Sequence, residues 1–194
     1  MKVKFSDEIY NLKDELTQIK EKYEDKYEEL MRKVEERCVR QVYSSGGLML
    51  HRGYYCPSSL DQVCGGANRG KIISRKPKQG YIYYFDEKEQ LIYVEKREKD
   101  VEPRREFLFY ENNEVYSVIF NCDPRWIHIS LVTKCVYNPL LTDYIVLFPD
   151  DYEVNDHNEL DIETYKYEGE KILKAYIDYY FFYEKEHYTQ EFEF

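Results

Sequence analysis

From residue 81 to the C-terminus, apolar and polar side chains alternate in short segments separated by polar turns. The segment YIYYFDEKEQLIYVEKRE beginning at Tyr81 shows this rhythm, and REFLFYENNEVYSVIF repeats it up to Phe120. Alternation with a period of two is typical of β-strands, because successive side chains point to opposite faces. The pattern predicts strands near 81–86, 90–97, 105–111, 114–121, 125–136, 143–148, 160–168, 171–183 and 187–194.

Short connections between these segments predict the topology of the sheet. Asp123-Pro124 and Asn138-Pro139 provide two of the turns, and most of the other connections are equally brief. Short turns force antiparallel neighbours, so the sequence predicts a β-meander. Because nine strands over-twist a single open sheet, we expect strong curvature.

An amphipathic helix is predicted from Ser6 to about Val42, with apolar residues three or four positions apart. Ser6 is a suitable N-cap, and Gly46-Gly47 ends the helical pattern. About 37 residues would span ~55 Å, which exceeds the ~40 Å width expected for this chain length. The helix therefore overhangs, breaks or pairs with a second copy, and packing on the sheet is the favoured arrangement. The apolar stripe consists of Ile9, Leu12, Leu16, Ile19, Tyr23, Tyr27, Leu30, Val34 and Cys38.

These elements define an α+β protein in which a long N-terminal α-helix packs on a curved antiparallel β-meander. The predicted regions are a helix over 1–43, a basic connecting loop over 44–80 and the sheet over 81–194. A chain of 194 residues is expected to form a single domain overall. The connecting region is rich in glycine, serine and basic residues and has no clear periodicity.

Charge is distributed unevenly along the chain, whose formal net charge is −10. Residues 44–80 carry 6 basic groups and 1 acidic group, whereas residues 150–194 carry 4 basic and 14 acidic groups. An acidic field repels nucleic acid and favours basic protein partners. The alternative interpretation is that acidity only keeps the protein in solution.

Neither a secretory signal nor an apolar run long enough for a membrane span is evident in the sequence. The cysteines are odd in number and irregularly spaced, which favours thiols over a disulfide framework. These features predict a cytoplasmic protein that does not contact membranes. The five are Cys38, Cys56, Cys64, Cys122 and Cys135.

Motifs that carry chemistry are weak. Residues 65–71 match the GxxxxGK spacing of a phosphate loop, but Ile72 stands where Ser or Thr must hold magnesium. His51, Cys56 and Cys64 fit no zinc template. We therefore predict no catalytic residue, no metal and no cofactor, and a protein that is not an enzyme. An enzyme using the 51–72 loop as a phosphate site remains a third hypothesis.

Tyrosine is unusually abundant, with 22 residues. On strands it has a structural explanation, since tyrosine suits half-exposed sheet faces. It is also enriched at protein interfaces, so an acidic, tyrosine-rich sheet face is suited to gripping a basic protein. The predicted partner-binding residues are Asp150, Asp151, Glu153, Asp156, Glu159, Tyr165, Tyr167, Tyr176, Tyr180 and Tyr183.

The hairpin rhythm of residues 81–194, with its tyrosines and carboxylates, resembles segments of small cytoplasmic immunity proteins. These proteins neutralise bacterial polymorphic or contact-dependent toxins. The resemblance implies stoichiometric binding of a toxin domain, often basic, without catalysis. The leading hypothesis is thus a non-catalytic inhibitor of a basic protein. The alternative is a self-assembling structural module that forms a homodimer through the N-terminal helix.

Overall fold

A computed structural model describes residues 4–48, 51–60, 68–99, 101–123, 125–149 and 157–194. The helices are α1 (Asp7–Tyr23) and α2 (Tyr27–Arg37), and Gly53–Tyr55 forms a single 3₁₀ turn. The strands of the described residues are β1 (Arg40–Ser45), β2 (Lys71–Ile73), β3 (Gly80–Phe85), β4 (Leu91–Glu98), β5 (Val101–Glu111), β6 (Glu114–Asp123), β7 (Trp126–Tyr137), β8 (Leu141–Phe148), β9 (Glu159–Glu168), β10 (Lys171–Phe181) and β11 (Glu186–Glu193).

All eleven strands belong to one sheet, with the order β11-β10-β9-β8-β7-β6-β5-β4-β3-β1-β2. From β3 to β11 each strand neighbours the next one in sequence, and every ladder that the structure describes is antiparallel. The α+β class and the antiparallel sheet are therefore confirmed. The curvature of the sheet stays a prediction.

The long N-terminal helix differs from its prediction in two ways. It breaks after Tyr23, where Lys26 N donates a hydrogen bond to Tyr23 O at 3.0 Å, and α2 begins at Tyr27. The buried residues of α2 are Tyr27, Leu30 and Val34. The helix also ends at Arg37 instead of continuing to about Val42.

The predicted extension of the helix to Val42 is wrong because β1 occupies Arg40–Ser45. Val42 and Tyr43 pair there with Tyr83 and Ile82 of β3. β-branched and aromatic side chains suit this strand, and the ladder to β3 supplies hydrogen bonds that a helix end lacks. The sequence alone did not reveal this non-local pairing.

The chain divides into two compact units. The first comprises the described residues up to Lys22, Tyr110–Tyr116 and the described residues from Ser130 onward. Its core includes Leu16, which is fully buried, and Phe5, whose ring packs edge-on against Tyr180 and Phe182 at 5.5 and 5.3 Å.

The second unit comprises the described residues of Tyr23–Phe109 and Ser117–Ile129. Tyr27 of α2 meets the rings of Phe107 and Phe120 in T-shaped contacts at 6.1 and 5.3 Å. Leu30 and Val34 are buried one and two turns further along the same helix. Their spacing of three and four residues places all three side chains on one face of α2.

Candidate functional site

Alternation along β9 lines up acidic and aromatic side chains on one face of the first unit. Glu159, Asp161, Glu163, Tyr165 and Tyr167 occupy every second position of the strand. In a β-strand such residues share a face, so three carboxylates stand in a row and are followed by two tyrosines. These five side chains share one face because β9 is a regular strand, in which alternate residues point to the same side.

The antiparallel register extends this row onto the neighbouring strands. Asp161 lies opposite Tyr179 of β10, and Tyr179 lies opposite Tyr188 of β11. One step along, Glu159 faces Phe181, and Phe181 faces Glu186. We call this surface the β9–β11 face; it comprises Glu159, Asp161, Glu163, Tyr165, Tyr167, Ile177, Tyr179, Phe181, Glu186 and Tyr188.

Lysines of β9 and β10 lie on the other side of these strands, together with further carboxylates. Lys166 and Lys174 lie opposite one another on the other side of β9 and β10, and Lys174 binds Glu191 and Glu193 at 2.6 and 2.8 Å. Asp178, on that same side, contacts His187 at 2.8 Å. The β9–β11 face as defined carries carboxylates without a lysine or arginine.

Burial and a neighbouring carboxylate perturb the ionisation of Asp161. Burial, and then repulsion from Glu159, raise the pKa of Asp161 from 3.8 to about 7. Two carboxylates two residues apart on one strand face disfavour each other's ionisation unless a cation lies near. Perturbed carboxyl groups of this kind are common at functional sites, although structural networks also produce them.

Exposure increases toward the outer strand. Glu163 and Tyr165 are buried, and the Tyr165 hydroxyl donates a hydrogen bond to Glu163 Oε2. Phe181 is half-buried, whereas Tyr188 is 54% exposed and lies edge-on to Phe181 at 6.0 Å. The face therefore presents exposed groups at Glu159 and along β11, whereas Glu163 and Tyr165 at the middle of β9 are buried.

The predicted tyrosines are split between the two sides of the sheet. Tyr165 and Tyr167 belong to the β9–β11 face, and the Tyr167 hydroxyl donates to Leu141 O at 2.8 Å. Tyr176 and Tyr180 lie on the other side, where Tyr180 packs against Phe5 and stacks on His187 at 4.4 Å. Tyr180 thus packs against the N-terminal segment, whereas Tyr176 contacts Lys166 and Glu191.

Tyr183 follows the end of β10 and is 48% exposed, with its ring 4.0 Å from that of His157. Glu159 is exposed at the start of β9. The other predicted acids, Asp150, Asp151, Glu153 and Asp156, lie outside the described residues. The structure thus brings together Glu159, Tyr165 and Tyr167 from the predicted set.

Sequence reasoning missed Asp161, Glu163, Tyr179 and Tyr188. The signal for Asp161 and Glu163 was present, because the alternation of β9 places both on the face of Glu159 and Tyr165. Tyr179 and Tyr188 required the β10–β11 register, which single-sequence patterns do not provide. The predicted binding residues were chosen by residue type and not by strand face. The predicted set therefore contains tyrosines from both sides of the sheet.

A cavity of about 400 Å³ lies in the second unit, on the side of the sheet opposite the α2 contacts. Tyr81, Lys96 and Arg104 cross its floor as partners on β3, β4 and β5. Val94 and Glu106 form the next row of the floor.

The segment after β1 covers this floor. Arg52 forms an ion pair with Glu106 at 2.6 Å, and both side chains are only 5% exposed. The Tyr83 hydroxyl donates to Arg52 O at 3.0 Å and accepts from Tyr54 N at 2.9 Å. Gly53, at φ +50, lies so close to Tyr81 that an added Cβ would be 2.3 Å from Cε2 of that ring. The covering turn is therefore fixed in place, and sequence reasoning did not identify it.

Within the described ranges, no group of three or more His, Cys, Asp or Glu is arranged to hold a metal ion. Gly65, Gly66 and Ala67 of the phosphate-loop spacing and Cys64 of the zinc hypothesis lie outside those ranges. Neither of the described helices is long and apolar enough to cross a membrane. No disulfide joins Cys38, Cys56, Cys122 and Cys135, the described cysteines.

Comparison with protein-family models, curated proteins and solved structures finds no significant match for this chain.

Proposed function

We propose that this chain is a non-catalytic cytoplasmic protein that neutralises a basic protein partner, as an immunity protein inhibits a toxin domain. The observation that carries the proposal is the β9–β11 face. Three carboxylates line one side of β9 without a lysine or arginine on the same face of β9–β11, and the pKa of Asp161 is raised to about 7.

A basic partner would supply the missing positive charge. A lysine or arginine placed beside Glu159 and Asp161 favours the ionised carboxylates and lowers the pKa of Asp161. The exposed ring of Tyr188 and the half-buried ring of Phe181 offer apolar contacts at the border of that charge. Inhibition would follow from covering the partner's active site, and it needs no chemistry from this chain.

Net charge and thiol chemistry agree with this proposal. A net charge of −10 speeds the encounter with a cationic partner, and salt screens that attraction. Described cysteines that form no disulfide suit the reducing cytoplasm. The predicted acids Asp150, Asp151, Glu153 and Asp156 precede β9 in sequence and remain part of the proposed binding set.

A direct test needs a basic toxin-like domain as the probe, to be sought among the genes that neighbour the gene for this chain. We expect the two proteins to form a one-to-one complex of nanomolar affinity by titration calorimetry, and co-expression to restore growth of cells producing that domain. The double variant Glu159→Lys/Asp161→Lys should weaken binding by about a hundredfold, because it places like charges against the partner.

The matched control is the double variant Glu35→Lys/Glu36→Lys, which makes the same charge change on exposed residues of α2. Its affinity should stay close to that of the unmodified protein. If both variants weakened binding equally, the change in net charge alone would explain the loss of affinity. The β9–β11 face would then be rejected as the binding surface. No complex with the neighbouring domain, together with no protection of the cells, would reject the function itself.

A further inference from the structure

The three cationic side chains considered in the cavity of the second unit differ in whether a carboxylate pairs with them. Arg52 is held by Glu106 at 2.6 Å, and Lys96 is held by Glu98 at 3.1 Å. Arg104 also lines the cavity, is exposed, and forms no ion pair with a described residue. The charges within each of these two ion pairs cancel. The guanidinium of Arg104 therefore gives this part of the cavity a net positive charge.

The strand register places a second cation beside it. Arg104 of β5 lies directly opposite Lys96 of β4, and both side chains line the cavity. Like charges directly across an antiparallel pair destabilise a sheet. Glu98 relieves only part of this repulsion, because it binds Lys96 and not Arg104. An anion bound between the two strands would relieve the remainder.

The rest of the lining is suited to an apolar group. Leu48, Val94 and Ile119 contribute aliphatic walls, and Tyr81 contributes a buried ring. A volume of about 400 Å³ is comparable to that of cavities that hold small molecules. The wall formed by the covering turn is fixed by the Arg52–Glu106 pair and by the hydrogen bonds of the Tyr83 hydroxyl.

We propose that this cavity binds a small carboxylate with an apolar body, and that Arg104 recognises the carboxylate. The planar guanidinium donates two parallel hydrogen bonds that match the two oxygens of a carboxylate. The ammonium of Lys96, which is paired with Glu98, lies opposite Arg104 and donates a further hydrogen bond to the carboxylate, while Val94 and Ile119 contact the apolar body. This site uses residues of β3–β6 and the covering turn, so it does not depend on the function proposed for the β9–β11 face.

The test compares three probes of similar shape, which are phenylacetate, phenylacetamide and phenyl phosphate, binding to the full chain. Ligand-observed NMR titration measures the affinities, and amide shifts of the protein report where each probe binds. We expect phenylacetate to bind at least ~10-fold more tightly than phenylacetamide, since only the acid forms charge-assisted hydrogen bonds. The shifts should map to Val94, Lys96 and Ile119.

Arg104→Gln should abolish the preference for the acid, and Arg75→Gln is the matched control. Arg75 is exposed and does not line the cavity, so its loss changes the net charge equally. Circular dichroism of both variants verifies that they remain folded. The proposal is overturned by any of three results: no binding of phenylacetate at millimolar concentration, an undiminished preference in Arg104→Gln, or tighter binding of phenyl phosphate than of phenylacetate.

Discussion

Asp161 shows how one residue depends on its neighbours across the sheet. Its backbone pairs with Val146 of β8 and Tyr179 of β10, and Glu159 stands two residues away on the same face. Burial opposes ionisation first, and the negative charge of Glu159 opposes it further. The ordinary solution behaviour of an aspartate therefore does not apply at this position.

Stability should fall as pH rises through the range in which Asp161 titrates. The pKa of this carboxyl is about 7 in the folded chain against 3.8 as its ordinary value, so the folded state holds more protons between these limits. The free energy of unfolding contributed by Asp161 is thus greatest below the lower limit, and it is lost by the upper one. Urea unfolding across this pH range measures the slope.

Asp161→Asn should remove that slope, because an amide does not ionise. Above the titration range the variant should be more stable than the unmodified protein by on the order of 2 kcal/mol, after allowance for partial solvent exposure. Glu170→Gln, at an exposed turn position, is the control and should leave the slope unchanged. An identical slope in Asp161→Asn and the unmodified protein would show that the carboxyl titrates normally.

At the scale of elements, α1 is attached to the sheet of the first unit by a polar network. Lys134 of β7 is 8% exposed, and its Nζ lies 2.7 Å from Glu15 of α1 and 3.0 Å from Glu114 of β6. The Tyr116 hydroxyl lies 2.6 Å from both carboxylates. Burial by itself lowers the pKa of Lys134, but the hydrogen bonds to Glu15 and Glu114 raise it overall.

Removing Lys134 should release α1 from its place on the sheet. Lys134→Ala leaves the carboxylates of Glu15 and Glu114 facing each other without a cation, and we expect a loss of about 3 kcal/mol in the free energy of unfolding. Lys171→Ala, at an exposed lysine of β10, should cost less than ~0.5 kcal/mol. Chemical denaturation of the two variants in parallel measures the difference. A small loss in Lys134→Ala would mean that apolar packing alone holds α1.

At the scale of the whole molecule, two features that could drive self-association are the helical stripe and the edge strand β11, and the described residues of the first are largely buried while the second is acidic. Leu16, Tyr27, Leu30 and Val34 of the helical stripe are buried within the single chain. The edge strand β11 carries Glu186, Glu191 and Glu193, and carboxylates on an edge strand discourage pairing between copies. The net charge of −10 adds general repulsion.

We therefore expect a monomer in the absence of a partner. Sedimentation velocity at micromolar protein and moderate salt should give one species of monomer mass. A dimer that persists under these conditions, and that dissociates when Val34 is replaced by Asp, would instead support self-assembly through the helical stripe. Since Val34 is buried, the variant must first be shown to remain folded by circular dichroism.

From β3 onward, the sequence by itself determined the strands, the positions of their turns and their antiparallel neighbours. The predicted segments 114–121 and 171–183, for example, correspond to Glu114–Asp123 and Lys171–Phe181. These properties are local, because period-two alternation and short turns are encoded by adjacent residues. The shared face of Glu159, Asp161 and Glu163 also follows from β9 alone.

Only the tertiary structure decided which faces are covered and which charges find partners. In the folded chain, Tyr176 and Tyr180 lie on the side of the sheet opposite Tyr165. The helix ends at Arg37, and β1 pairs with β3. Arg52 is buried in an ion pair with Glu106. Each outcome depends on residues distant in sequence. Strand register and side-chain burial depend on contacts between residues that are distant in sequence. A local sequence pattern does not specify those contacts.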